Sequence, residues 1–164
     1  MVDDHGHRAP HVGQYERMSA NVPVVVERSE TSVRYVEVAD ELSQIRVAWP
    51  VLEQAVGSMR GRRFLAAFDP LQGWYRACVE IRVEVTNAER DLPEIVIPGG
   101  LYLQARLRGD PPEVYDEIAA AYAHLESYAD RDDSRPSLER YRRLDEIDVL
   151  MPVRPLSSGK APLG

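Results

Sequence analysis

One order of secondary-structure patterns occurs twice along this chain of 164 residues, and the repetition limits the folds it can adopt. In each half, a β-rich segment precedes an apolar stripe with helical spacing, and two further β-like segments follow. The stripes are formed by Leu42, Ile45, Trp49, Leu52, Val56 and Met59, and by Val114, Ile118, Tyr122, Leu125 and Ala129. Short turns between consecutive strands favour antiparallel pairing, with helices on one face. The sequence therefore predicts an α+β protein of two pseudo-symmetric strand-helix-strand-strand repeats.

The repeats lie within a single predicted domain, residues 22–154, which is flanked by polar segments. We place the first repeat at about residues 22–86 and the second at about residues 93–153. Residues 1–21 lack periodicity and are expected to form a disordered tail. Residues 155–164 are expected to form a second tail.

Charge and cysteine content narrow the classes of function. The net charge of −7 disfavours nucleic-acid binding, which needs a basic face, and is compatible with cationic ligands. No apolar run approaches the roughly 20 residues that cross a bilayer, so no membrane partner is expected. The single cysteine, Cys78, allows no intrachain disulfide and fits a cytoplasmic location. Its apolar neighbours predict a buried, inert thiol.

No metal or cofactor motif stands out. His5, His7 and His11 lack carboxylate or cysteine partners at ligand spacing. Gly99 and Gly100 lack the spacing of a dinucleotide-binding loop and precede a strand pattern, so we interpret them as a bulge or pivot. The prediction is therefore no metal and no cofactor.

A carboxylate and a phenol, Glu139 and Tyr141, stand two residues apart within a predicted strand. The period of two in a strand places both side chains on the same face of a sheet. Such a pair suits a pocket for a polarised or cationic organic molecule. The neighbouring Arg140, Arg142 and Arg143 leave a second interpretation open, in which Glu139 forms a surface ion pair.

Several motifs, taken in order, resemble a known family. They are Trp74-Tyr75-Arg76-Ala77-Cys78-Val79, Pro98-Gly99-Gly100-Leu101-Tyr102, Gly109-Asp110-Pro111-Pro112, Arg135-Pro136-Ser137-Leu138-Glu139-Arg140-Tyr141 and the closing segment 145–153. Together they resemble the GyrI-like small-molecule-binding domain, which is also the effector-binding part of multidrug-sensing and AraC-type regulators. The resemblance covers roughly residues 22–153.

The resemblance implies a ligand cleft along the junction of the two repeats, with Glu139 inside it. The residues that we expect to contact a ligand there are Glu139, Tyr141, Tyr102, Tyr115, Trp74, Tyr75, Tyr35 and Phe68. Trp49 and Tyr122 lie on the helical stripes and are expected in the core. The family's regulators carry a DNA-binding domain before this module. No helix-turn-helix fits the first residues here, so a stand-alone member is expected.

Three functions follow as hypotheses. The leading one is a binding protein for hydrophobic, often cationic, small molecules, acting in drug or toxin sequestration or sensing. The alternative is a hydrolase that opens reactive cyclopropane-type electrophiles, with Glu139 as general base and Tyr141 polarising the leaving group. The third is interaction with a protein partner, DNA gyrase or a regulator, and no motif in the sequence supports it. The sequence leaves the ligand's identity and the oligomeric state open.

Overall fold

The computed structural model describes residues 22–155. The predicted tails, residues 1–21 and 155–164, lie outside the described residues except for Pro155, and so do His5, His7 and His11.

Eight strands and four helices make up the described part of the chain. The strands are β1 (Val24–Arg28), β2 (Thr31–Ala39), β3 (Phe64–Asp69), β4 (Trp74–Glu80), β5 (Glu94–Ile97), β6 (Gly100–Arg108), β7 (Ser137–Arg143) and β8 (Glu146–Pro152). The helices are α1 (Leu42–Val56), α2 (Asn87–Arg90), α3 (Glu113–Asp116) and α4 (Ile118–Glu126). The predicted α+β class with antiparallel pairing is confirmed.

The strands form one antiparallel sheet in the order β1-β6-β8-β7-β3-β4-β2-β5. Its centre shows the expected pseudo-symmetry, because β2-α1-β3-β4 and β6-α4-β7-β8 are equivalent units whose strands run in the mirrored orders β2-β4-β3 and β6-β8-β7. The units meet where β3 pairs with β7. The junction of the two repeats is therefore a strand pair at the middle of the sheet.

The edge strands are exchanged between the units, which the sequence pattern does not reveal. Strand β1 is linked to β2 by Ser29 and Glu30 alone, yet it pairs with β6 of the other unit. Strand β5 is linked to β6 by Pro98 and Gly99, yet it pairs with β2. A link this short spans only about 10 Å. The sheet must therefore curl until its two edges come together.

The curl gives the sheet two different faces. Its outer face is covered by α1, which buries Ala48 and Leu52, and by α4, which buries Leu125. Its inner face carries another apolar cluster, including Val33 and Cys78, which are both fully buried. None of the four described helices contributes a residue to this cluster. The predicted burial of Cys78 is confirmed, and burial raises the pKa of its thiol to about 12. At neutral pH the thiol stays protonated and unreactive.

The two links cross in close contact at Gly99. A β-carbon at this position would lie 2.6 Å from the carbonyl oxygen of Arg28 and 2.7 Å from the amide nitrogen of Glu30. Both atoms are backbone, so neither moves away without shifting a strand. The predicted pivot at Gly99 and Gly100 is thus the point where the chain changes from one sheet edge to the other.

No helix among those described is long and apolar enough to cross a membrane.

Gly99→Ala tests the crossing. We expect it to lower the free energy of unfolding by about 2–3 kcal/mol, since overpacking against backbone is not relieved by a rotamer change. Gly61→Ala is the control, because Gly61 has φ of +70° but no atom within 4 Å of the added β-carbon. Its cost is backbone strain alone, about 1 kcal/mol. Urea denaturation measures both variants, and equal losses would contradict a tight crossing.

Candidate functional site

Glu139 and Tyr141 lie on the outer face of β7, at the junction of the two units. In the register of the sheet Glu139 is opposite Ala66 of β3, and Tyr141 is opposite Phe64. The two side chains therefore share one face, as period-two geometry predicts. Helices α1 and α4 cover the sheet on either side, so the pair lies between them.

A chain of hydrogen bonds ends at the Glu139 carboxylate. The hydroxyl of Tyr141 donates to Oε2 of Glu139 at 2.7 Å, and Nε1 of Trp49 donates to the hydroxyl of Tyr75 at 2.9 Å. The hydroxyls of Tyr75 and Tyr141 are also hydrogen-bonded to each other. Side chains from α1, β4 and β7 thus form one polar network inside an otherwise apolar core.

Aromatic rings surround this network. Trp49 meets the ring of Tyr141 edge-on, with 5.1 Å between centroids. Phe68 stacks on Tyr75 at 6.4 Å and meets Tyr122 edge-on at 5.0 Å. The rings come from both helices and from both central units. They supply π faces to any group that enters between the helices.

Glu139 carries a buried carboxyl group. The residue is only 7% exposed, and its pKa is raised to about 7 by burial, with Tyr141's hydrogen bond opposing the shift and the negative charge of Asp40 adding to it. Within residues 22–155 no arginine pairs with it. Burial also holds the pKa of the Tyr141 hydroxyl well above its usual range, so Tyr141 remains a donor.

Four of the eight predicted contact residues come together here, namely Glu139, Tyr141, Tyr75 and Phe68. Tyr35, Trp74 and Tyr102 instead pack on the inner face of the sheet. They cannot line one pocket together with Glu139, because the sheet lies between them. In β4 the alternation that turns Tyr75 outward turns its neighbour Trp74 inward.

The inner-face aromatics have other partners. The guanidinium of Arg76 stacks over Trp74 at 4.0 Å and over Tyr35 at 4.8 Å. The hydroxyl of the fully buried Tyr102 donates to the carbonyl oxygen of Pro98 at 3.0 Å. Tyr115, the last of the predicted set, is 42% exposed on α3.

Trp49 and Tyr122 belong to the site as well as to the core, which sequence reasoning missed. Each packs in an apolar cluster under its helix, as expected. Each also contributes to the ring arrangement, and the Tyr122 hydroxyl donates to the carbonyl oxygen of Leu138 beside Glu139. A signal was present, because a buried indole N–H or phenol O–H in an apolar stripe needs a polar partner.

No group of His, Cys, Asp and Glu in the described part of the chain is arranged to hold a metal ion.

Comparisons with known proteins find similarity in fold. No family model matches the chain, and no curated protein matches it in sequence. An integron cassette protein from the mobile metagenome of Vibrio cholerae has a TM-score of 0.64 at 14% identity, covering 80% of this chain and 95% of its own. SAV2435, solved with bound tetraphenylphosphonium, has a TM-score of 0.61 at 14% identity, with coverages of 85% and 98%. The C-terminal domain of EcmrR has a TM-score of 0.60 at 14% identity, with coverages of 82% and 98%. These neighbours share the fold of this chain over most of their own length.

The raised pKa of Glu139 predicts how stability depends on pH. The folded protein holds the proton more tightly than the unfolded chain, so stability falls as pH rises from about 4.5 to about 7. A shift of this size corresponds to about 3 kcal/mol. In Glu139→Gln the side chain is neutral at every pH, so we expect the variant to lose this part of the decrease in stability.

Urea denaturation at pH 5 and pH 8 measures the effect as a difference between variants. Glu53→Gln on the exposed side of α1 is the control and should follow the wild type. If the stability of Glu139→Gln depended on pH as the wild type's does, that would contradict a buried Glu139 carboxyl with a raised pKa.

Proposed function

We propose that this protein binds hydrophobic organic cations between its two helix-covered units, with Glu139 as the counter-charge. The observation that carries the proposal is the buried Glu139 carboxylate, which has aromatic neighbours and, within residues 22–155, no cationic partner. A buried charge without a partner is costly. A ligand cation removes that cost, and the rings around it add cation–π attraction of about 0.5–2 kcal/mol each.

Proton linkage follows from the same carboxyl group. A cation beside Glu139 favours the charged form and lowers its pKa from about 7. Binding at neutral pH therefore releases a proton from the fraction of molecules that carry one. Affinity for a permanently charged cation rises from pH 6 to pH 8 and then levels off.

Two lines of comparison support the proposal. SAV2435, which shares the fold, was solved with tetraphenylphosphonium, a lipophilic cation. The motifs around Pro98 and Glu139 resemble a family of small-molecule-binding domains. Because Glu139 is only 7% exposed, the proposal requires the rings that cover it to move apart before a ligand can reach the carboxylate.

Titration with tetraphenylphosphonium tests the proposal. We expect saturable binding in the micromolar range at pH 8, weakened by about tenfold or more in Glu139→Gln because the ligand charge loses its partner. Glu53→Gln is again the matched control and should bind like the wild type. Calorimetry in two buffers of different ionisation enthalpy at pH 7 reports the released proton.

Equal affinity in wild type and Glu139→Gln would remove Glu139 from the site. Absence of saturable binding by several lipophilic cations would reject the cation-binding function.

A second candidate function has one observation in its favour. The pKa of Glu139 lies near neutral pH, where a carboxylate works best as general base, and the Tyr141 hydroxyl is beside it. Glu139 would take a proton from water as the water oxygen bonds to a carbon of a strained, cyclopropane-type ring. The ring carbon–carbon bond at that carbon would break, its electron pair would go to the departing group polarised by Tyr141, and the proton on Glu139 would pass to the ring-opened product. Consumption of such an electrophile over many turnovers, abolished in Glu139→Gln, would support this activity. Stoichiometric binding without turnover would reject it.

A further inference from the structure

A second candidate site lies on the inner face of the sheet, away from Glu139. A cleft of about 390 Å³ opens there beside β1, β6 and β7. Small-molecule sites in proteins begin at about 300 Å³. The residues that line it are Val26, Glu27, Arg28, Ser29, Thr31, Arg63, Glu80, Gln104 and Arg140. Three arginines in one cleft are notable in a chain whose net charge is −7.

Alternation along the strands aims two of these arginines into the cleft. Arg140 follows Glu139 directly, so its side chain leaves the opposite face of β7. Arg28 shares the inner side of β1 with Val26, which packs in the inner apolar cluster. Burial and the positive charge of Arg140 lower the pKa of Arg28, in that order of importance. Two like charges therefore face one another in a partly desolvated space.

The neighbouring carboxylates are engaged elsewhere. Asp148, across from Arg140 in the sheet, is held by Arg106 at 2.7 Å and by Arg142 at 3.8 Å. Glu80 is paired with Arg63 at 3.8 Å. Glu80 and Asp148 still favour the charged form of Arg28, but from beyond ion-pair distance.

Glu27 also borders the cleft. Alternation along β1 directs its side chain to the other face, opposite to Val26 and Arg28. Within residues 22–155, neither Arg28 nor Arg140 has a carboxylate within 4 Å, because the nearby acids pair with other arginines.

We infer that this cleft binds a small organic anion through a phosphate or carboxylate group held between Arg28 and Arg140. Guanidinium groups form paired, charge-assisted hydrogen bonds with such oxyanions. The anion would relieve the repulsion between the two arginines. Thr31 and Gln104, which line the same cleft, offer neutral donors to the rest of the ligand.

This site does not depend on the proposed cation site. The sheet separates the two, and β7 sends Glu139 to one face and Arg140 to the other. A variant at Arg140 therefore leaves the carboxylate of the outer face in place.

Isothermal titration calorimetry with sodium phosphate and with sodium citrate, at constant ionic strength, tests the inference. We expect at least one of these anions to bind saturably. Arg140→Gln and Arg28→Gln should each weaken it by about tenfold, because each removes one charged donor from the anion. Arg46→Gln, an exposed arginine on α1, removes the same charge elsewhere and should leave the affinity unchanged.

Urea denaturation without added anion shows whether the variants fold. Arg140→Gln breaks no ion pair among residues 22–155 and removes a repulsion with Arg28, so its midpoint should equal or exceed that of the wild type. Binding of phosphate alone assigns the site to phosphorylated ligands, and binding of citrate alone assigns it to carboxylates.

Two results would overturn the inference. One is that neither anion binds saturably at concentrations up to about 10 mM, which is already weak binding. The other is that the folded arginine variants and Arg46→Gln all bind as the wild type does. Titration of the arginine variants with tetraphenylphosphonium distinguishes the anion site from the cation site. If an anion binds but the lipophilic cation does not, only the proposed cation-binding function is rejected.

Discussion

The pairing of β3 with β7 is the constraint on which the rest of the structure depends. It joins the two units into one sheet, and among the described strands it is the place where residues of both units stand side by side under both helices. A polar side chain at this position has α1 on one side and α4 on the other. The Glu139 carboxyl is therefore desolvated by the architecture of the whole domain, rather than by a local fold of its own strand.

Strand β7 separates charge across the thickness of the sheet. Glu139 and Tyr141 face the helices, whereas Leu138 and Arg140 face the interior of the curl. An acid and a base that are adjacent in sequence consequently act in different environments and form no ion pair with one another. The surface ion pair that the sequence left open for Glu139 is not formed, because the residue is only 7% exposed and no arginine within residues 22–155 pairs with it.

The sequence predicted what depends on local periodicity. The apolar stripes located α1 and α4, and the spacing of Glu139 and Tyr141 placed both on one face. It could not predict how faces correspond between strands, because register and strand order are set by long-range pairing. Tyr35, Trp74 and Tyr102 were grouped with Glu139 for this reason, although they occupy the inner face. The exchange of β1 and β5 between the units was missed on the same grounds.

That exchange has a consequence for how the domain forms. Each unit lacks an edge strand that the other unit supplies, so neither completes its hydrogen bonding alone. The contacts between β1 and β6 join segments far apart in the chain, and such pairings are slow because loop entropy is lost before they form. Cutting the chain between α2 and β5 would yield two fragments that fold on mixing and not separately. The exchange of edge strands thus makes the two repeats one cooperative unit, even though each carries its own helix and most of its own sheet.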